Sequence, residues 1–479
     1  MVLKRFYDDD LAQASFLVGC AKTGEAIVID ANRDVQQYIN SAKEEGLTIT
    51  AVTETHIHAD YLSGSRELAE ISGAKLYLSD EGDAEWKYGF ANQPNVVLVR
   101  DGDVIRVGNI RFDVVKTPGH TPEHITFVVT DEASTDRPLG AFTGDFIFVG
   151  DVGRPDLLER AAGFAGTMEA GARTLYQSLQ RFKKTMPLDI LVFPGHGAGS
   201  ACGKNLGGVP VSTLGYEVSA NWGLRDITEE EFAKTVLEGQ PDPPAYFKEM
   251  KRINRDGPPI LGGFRLPVRK SLHELLDVLK SDAVVLDVRA IKEFTDGFIP
   301  GTMSIPLGGG FTKWAGWLIP YDVPIYLIAK SESDVLKAVR NLAMIGLDNV
   351  QGWRDENVLR EFGKLEQVKR MSSDEVSQKS EKGDIKVLDV RHLDEYVEGH
   401  VPNAIHVPLG YLSKRINEIP KDKPIVVHCA GEMRSAVAVS ILRKHGFEHV
   451  YHMNDGFDAY ERSGFVVERG VGSKQAVEV

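Results

Sequence analysis

The chain has 479 residues, of which 42% are hydrophobic and 26% charged, with a net charge of −14. At ~150 residues per domain this length predicts about three domains, and the ordinary balance excludes disordered, collagenous and coiled-coil chains. The acidic surface repels a phosphate backbone, so no nucleic-acid partner is expected, and no run reaches the ~18 apolar residues of a membrane span.

In chain order, the first ten residues are acidic and lack an apolar core, so they are not read as a signal peptide. Short apolar runs predict strands over 26–29, 48–52, 111–115, 125–129 and 191–193, with helices over 63–71 and 166–182. The stretch 256–263 is dense in Gly and Pro, which punctuate structure rather than propagate it. Beyond it the sequence repeats itself. The run Val285-Leu-Asp-Val-Arg289 recurs as Val387-Leu-Asp-Val-Arg391, and Glu293, Gly297 and Pro300 are matched by Glu395, Gly399 and Pro402. In the second copy, strands over 387–390 and 425–428 and a helix over 435–445 give an α/β unit with a mainly parallel sheet. The expected domains are 1–253, a linker over 254–265, a middle unit over 266–364 and a last unit over 370–472.

The polar residues of the first unit gather at strand ends. Thr55-His-Ile-His-Ala-Asp-Tyr61 follows one strand, Pro118-Gly-His120 another, Gly144-Asp145 a third and Pro194-Gly-His196 a fourth. A lone histidine there would be an ordinary surface residue, but a matching set from four strand ends predicts a metal site. Cys20, Cys202 and Cys429 are too few and too far apart for a disulfide framework and suit a reducing cytoplasm. Cys429 ends a strand and opens a short loop, Cys-Ala-Gly-Glu-Met-Arg434, ahead of a helix. Convergent N–H groups and the helix dipole favour a thiolate in such a loop, and Arg434 adds a fixed positive charge.

The His56-x-His58-x-Asp60-Tyr61 run with His120, Asp145 and His196 resembles the metallo-β-lactamase superfamily, which implies an αββα sandwich. Tyr61 stands where that family has a second-metal histidine. A neutral phenol is a poor ligand for a hard divalent ion, so one metal is expected. Within the superfamily the segment 143–156 and Phe16-Leu-Val-Gly-Cys20 resemble the persulfide dioxygenases. That resemblance implies ferrous iron, one per chain, on His56, His120 and Asp145, with zinc as the alternative. His58, Asp60, Tyr61 and His196 then lie behind the ligands and orient them. Cys202 lies six residues past His196 and is a candidate for handling sulfur at the iron pocket, with Lys204 as a candidate for attracting an anionic thiol carrier.

The last unit resembles the rhodanese sulfurtransferases. The implied nucleophile is Cys429, assisted by Arg434, with Ala430, Gly431, Glu432 and Met433 cradling the sulfur. At the matching positions of the middle unit stand Ala329 and Asp334, so that unit is read as a catalytically silent rhodanese. The order of the three resembles bacterial fusions of a persulfide dioxygenase with a sulfurtransferase. The implied first reaction turns a low-molecular-weight thiol persulfide, O2 and water into thiol and sulfite; the second joins sulfite to a sulfane sulfur as thiosulfate. Tethering raises the capture of sulfite. A zinc thioester hydrolase of the glyoxalase II type fused to a sulfurtransferase is the rival reading. A homo-oligomer without membrane partners is expected.

Overall fold

The computed structural model of the protein describes residues 1–160, 166–240 and 242–470, so the last two residues of the expected 370–472 unit lie outside the described residues. The chain divides into two compact units. One comprises Met1–Phe264 with Arg340–Gly346; the other comprises Arg265–Val339 and Leu347–Val479.

Among the described residues of the first unit, twelve strands form two sheets. The first holds β1 (Val2–Asp8), β2 (Gln13–Cys20), β3 (Glu25–Ile29), β4 (Thr48–Thr53), β5 (Lys75–Ser79) and β6 (Val96–Val99), paired in chain order. The second holds β7 (Val104–Val107), β8 (Ile110–Lys116), β9 (Ile125–Asp131), β10 (Gly140–Gly144), β11 (Leu191–Pro194) and β12 (Ser212–Thr213), also in chain order. Their inner faces bury one apolar layer that includes Phe16, Ile27, Phe112, Phe127, Phe142 and Phe193. Each such side chain removed from water stabilises the fold by ~1.5–3 kcal/mol. The outer faces are covered by helices. Tyr38 and Leu68 of helices Val35–Glu44 and Ser65–Ser72 pack on the first sheet, and Leu175 and Phe182 of helix Met168–Thr185 on the second. Helix–sheet–sheet–helix layering follows from each sheet having two apolar faces to cover.

The strands end where the polar motifs begin. Residues 55–61 follow β4, His120 lies between β8 and β9, Asp145 follows β10 and His196 follows β11. A single rim of the sandwich therefore carries them all. The helix Phe247–Asp256 runs past residue 253, the expected end of this domain.

Among its described residues the second unit contains two sheets whose strand pairs are all parallel. With β13 (Val284–Asp287), β14 (Met303–Ser304), β15 (Ile325–Ala329) and β16 (Val350–Asp355), the first runs β14-β13-β15-β16. With β17 (Lys369–Met371), β18 (Lys386–Asp389), β19 (Ile405–His406), β20 (Ile425–His428) and β21 (Val450–Met453), the second runs β17-β21-β20-β18-β19. Apart from β17 the two orders correspond. The recurring Asp-x-Arg has the same use in each. Arg289 Nη2 meets Asp287 at 2.6 Å and the Gly297 carbonyl at 3.0 Å; Arg391 meets Asp389 at 2.6 Å and Gly399 at 2.6 Å. Both pairs are buried, with further hydrogen bonds that offset desolvation.

Candidate metal centre and cysteine loop

His56, His120 and Asp145 are at most 2% exposed, and their ligand atoms come together within 4.8 Å. Asp145 Oδ2 lies 4.0 Å from His56 Nε2 and 3.5 Å from His120 Nε2. The hydrogen bonds behind them fix which ring nitrogen carries the proton. Thr55 Oγ1 donates to Asp30 Oδ2 at 3.0 Å, so its contact with His56 Nδ1, also 3.0 Å, takes a proton from the ring. His120 Nδ1–H donates to the Arg154 carbonyl at 3.1 Å. Both rings thus turn an unprotonated Nε2 toward one point.

Burial, and then the neighbouring histidines, push His56 well below the usual imidazole range; burial also lowers His120. Burial would raise Asp145, but His196 and His120 outweigh it and hold the carboxyl low. The trio is two neutral imidazoles and one carboxylate. His56 Nε2 and both Asp145 oxygens are buried without a hydrogen-bond partner among the described residues, a costly state that a cation would relieve.

Beside it lies a second cluster, Asp60, His196 and Cys202, again within 4.8 Å. His196 Nδ1–H donates to the Ala12 carbonyl at 3.0 Å, while Nε2 lies 3.2 Å from Asp60 and 3.4 Å from Asp145. Burial would lower His196, but the two carboxylates raise it. Cys202 is 1% exposed, and burial first, then Asp60 and Asp145, push its thiol far up. Unliganded, it is a thiol rather than a thiolate.

His58 Nε2–H donates to Asp30 Oδ1 at 3.2 Å; burial would lower it, but Asp30 raises it to about 9. Tyr61 donates its hydroxyl to the Asp30 carbonyl at 3.1 Å. The Lys204 ammonium donates to the carbonyls of Thr235 and Glu238 and stands outside both clusters.

Several supports carry no sequence motif. His124 accepts the Asp145 N–H at 3.2 Å, and burial drives it down to about 3, so it stays a neutral acceptor. Asn254 donates to the carbonyls of His58 and Tyr61, both at 2.8 Å, and so pins the loop after β4. A Cβ at Gly153 would lie 1.8 Å from the Asp145 carbonyl, so only glycine allows that close approach.

In the second unit Cys429 is 2% exposed, with Sγ 3.4 Å from Ser435 Oγ, while Gly431 and Glu432 at the loop's tip are exposed. The helix Met433–Lys444 begins two residues earlier than expected, so Arg434 lies in its first turn. Its guanidinium meets Glu395 fork to fork at 2.6 and 2.7 Å. Burial would lower Arg434, but Glu395 outweighs it and keeps it charged. In the middle segment Ala329 is buried at the end of β15, and Asp334 exchanges hydrogen bonds with Ser331. The structure thus brings Cys202 to the metal trio and Arg434 to the Cys429 loop, and leaves Lys204 apart.

A model of the metallo-beta-lactamase superfamily matches residues 8–196, and one of the rhodanese-like domain matches residues 372–463. The human mitochondrial persulfide dioxygenase ETHE1 is 30% identical over 242 residues, 49% of this chain and 80% of that one. Hydroxyacylglutathione hydrolase GloC of Haemophilus influenzae is 26% identical over 194 residues, 37% of this chain and 83% of its own length. A crystal structure of a metallo-beta-lactamase from Staphylococcus aureus subsp. aureus COL superposes with a TM-score of 0.67 at 41% identity, covering 74% of this chain and 99% of that one.

Proposed function

The chain belongs to the metallo-beta-lactamase superfamily and ends in a rhodanese-like domain, and from that premise we propose that it oxidises a low-molecular-weight thiol persulfide to sulfite and then transfers a sulfane sulfur to sulfite, giving thiosulfate. The observation that carries this reading is one chain holding both a two-histidine, one-carboxylate trio and a cysteine loop closed by Arg434. The donor set fits a ferrous ion: two neutral nitrogens and one carboxylate oxygen converge from one side, and their buried atoms lack partners. An ion held by His56, His120 and Asp145 would supply redox chemistry toward O2 and a binding affinity for sulfur.

The chain's own residues prepare that site. Thr55 and the Arg154 carbonyl hold the tautomers of His56 and His120, and His124 fixes the Asp145 backbone. His196 sets its Nε2 between Asp60 and Asp145 and orients both carboxylates beside the trio. Cys202 is the thiol nearest the trio and a partner for a sulfane sulfur. In the rhodanese-like domain Cys429 is the sulfur carrier, with the backbone of residues 430–433 around its outer sulfur. The middle segment is read as a rhodanese fold without its nucleophile, since Ala329 stands where Cys429 does. Three free cysteines support a reducing, cytoplasmic setting, and among the described residues no helix is long and apolar enough to cross a membrane.

A zinc thioester hydrolase is the second reading, favoured by the likeness to GloC and by Asp60, His196 and Cys202 as a possible second ligand group. Metal content with O2 uptake decides: about one iron per chain and persulfide-dependent uptake support the dioxygenase, whereas two zinc ions and thioesterase activity without uptake overturn it.

A further inference from the structure

A short piece of the middle segment belongs to the first compact unit. Arg340–Gly346 groups with Met1–Phe264, whereas the chain on either side of it, up to Val339 and from Leu347, does not. The piece is the last turn of helix Glu332–Ala343 and the residues that follow. Leu62, the residue after Tyr61, is fully buried, and its N–H donates to the Met344 carbonyl at 2.7 Å. Arg33 Nη1 donates to the Ala343 carbonyl at 3.2 Å, at a helix C-terminus, where the dipole favours a cation. Asn341 Nδ2 donates to Asp10 at 2.6 Å. Arg340 joins two carboxylates, Asp8 through Nη1 and Asp34 through Nε, both at 2.9 Å.

Those two carboxylates sit in the loops that carry the supports of the trio. Asp8 Oδ1 accepts the N–H groups of Asp10 and Leu11, both at 3.1 Å, and so shapes the turn that leads to Ala12. The Ala12 carbonyl takes the His196 Nδ1–H at 3.0 Å. Asp34 gives its N–H to Asn32 Oδ1 at 3.1 Å, two residues past Asp30. The Asp30 carboxylate holds Thr55 and His58, and Thr55 sets the His56 tautomer. Gln13 links the two loops: its Oε1 accepts from Asn32 at 3.0 Å, and its Nε2 donates to the Asp30 carbonyl at 2.9 Å. Both loops are strained at the point of support. Among the described residues three non-glycine residues have a positive φ, and two of them are Ala12 at 50° and Asp30 at 56°. Such a backbone persists only where its surroundings over-determine it. The ties to Arg340, Asn341 and Ala343 are part of those surroundings.

We propose that Arg340, carried by the cysteine-less middle segment, is a positioning residue of the metal site, holding the loop behind His196 and the loop behind Thr55 and His58 in one register. This rests on the reading of His56, His120 and Asp145 as metal ligands. Arg340 acts through Asp8 and Asp34 rather than on a ligand directly. Arginine suits the task because its planar fork offers separate N–H donors to two carboxylates at once, whereas a lysine ammonium is a point charge. A segment without a nucleophile thereby has a use. A first unit ending at Phe264 would lack both the acceptor of the Leu62 N–H and the cation between Asp8 and Asp34.

The test uses the full chain and Co²⁺ alone as the probe, bound in place of iron so that its visible absorption reports the geometry of its donors. Affinity is measured by competition with a chelator. Arg340→Ala should weaken Co²⁺ binding by about tenfold and shift the Co²⁺ band, with Arg340→Lys recovering part of both. Arg443→Ala, which removes an ion pair with Glu366 in the second unit, should change neither. If Arg340→Ala does not fold, Arg340→Gln is read in the same two assays. An unaltered affinity, a weaker affinity with an unmoved band, or an equal change in Arg443→Ala overturns the positioning role. Absence of a Co²⁺ band in wild type, or a band that survives His56→Ala, overturns the reading of the trio instead, and the role of Arg340 with it.

Discussion

Tyr61 donates its hydroxyl to the backbone carbonyl of Asp30 at 3.1 Å, with its ring 4.5 Å from that of His58. The phenol is thereby committed to the backbone at the end of the His56–Tyr61 run. The same carbonyl also accepts from Gln13 Nε2 at 2.9 Å. Tyr61→Phe should therefore cost only about 1 kcal/mol in denaturant unfolding and leave metal content at one per chain. Two metals per chain in the variant would contradict this account.

The trio and its supports should separate in a metal assay. His56→Ala, His120→Ala and Asp145→Ala should each abolish binding. His124→Ala removes the acceptor of the Asp145 N–H, together with the ring's contacts to Thr117 and His56, and should weaken affinity by about 10–100-fold while binding persists. Competition with a chelator measures both. A His124→Ala protein with unaltered affinity would show that its contact does not position Asp145.

Acid should loosen the second unit through His452. This ring is 1% exposed, both nitrogens lack hydrogen-bond partners among the described residues, and burial first, then Arg370, lower it to about 4. A depressed histidine contributes stability that is full above its ordinary value of 6.5 and is lost as pH falls through its folded value of about 4. The loss over that window is on the order of 3 kcal/mol. His452→Leu, with no charge to bury, should flatten the dependence. Urea unfolding at the two ends of the window checks this, and an equal pH dependence in the variant would refute it.

The clustering of the candidate metal site was legible because its residues sit at strand ends and are of particular types. His56, His120, Asp145, His196 and the Cys429 loop stand at the ends of runs whose apolar pattern marks them as strands. Their supports were not legible. Asp30, His124 and Asn254 are ordinary residues in their own segments and gain meaning only when the fold brings Asn254 to His58, 196 positions away. Lys204 shows the same limit: its neighbours in sequence made it a candidate, and only the fold shows its ammonium donating to the carbonyls of Thr235 and Glu238 at the end of the helix Glu229–Leu237. The repeated Asp-x-Arg stood out in the sequence, and the structure gives it a use in both places as a buried ion pair.

The middle segment should resist reactivation. Ala329→Cys restores a thiol, but Asp334 stands where Arg434 does and disfavours a thiolate. In a Cys429→Ser background this variant should show little sulfur transfer. Activity comparable to that of the wild-type Cys429 domain would overturn the reading.

The most direct test of the two-site account is product speciation in Cys429→Ser. Serine keeps the size of the side chain but carries no sulfane sulfur, and Cys429 lies in a different compact unit from His56, His120 and Asp145. Persulfide and O2 are supplied, oxygen uptake is followed, and sulfite and thiosulfate are quantified together. The account predicts continued uptake with sulfite released in place of thiosulfate. Loss of oxygen uptake, or thiosulfate formed at the wild-type rate, would contradict it.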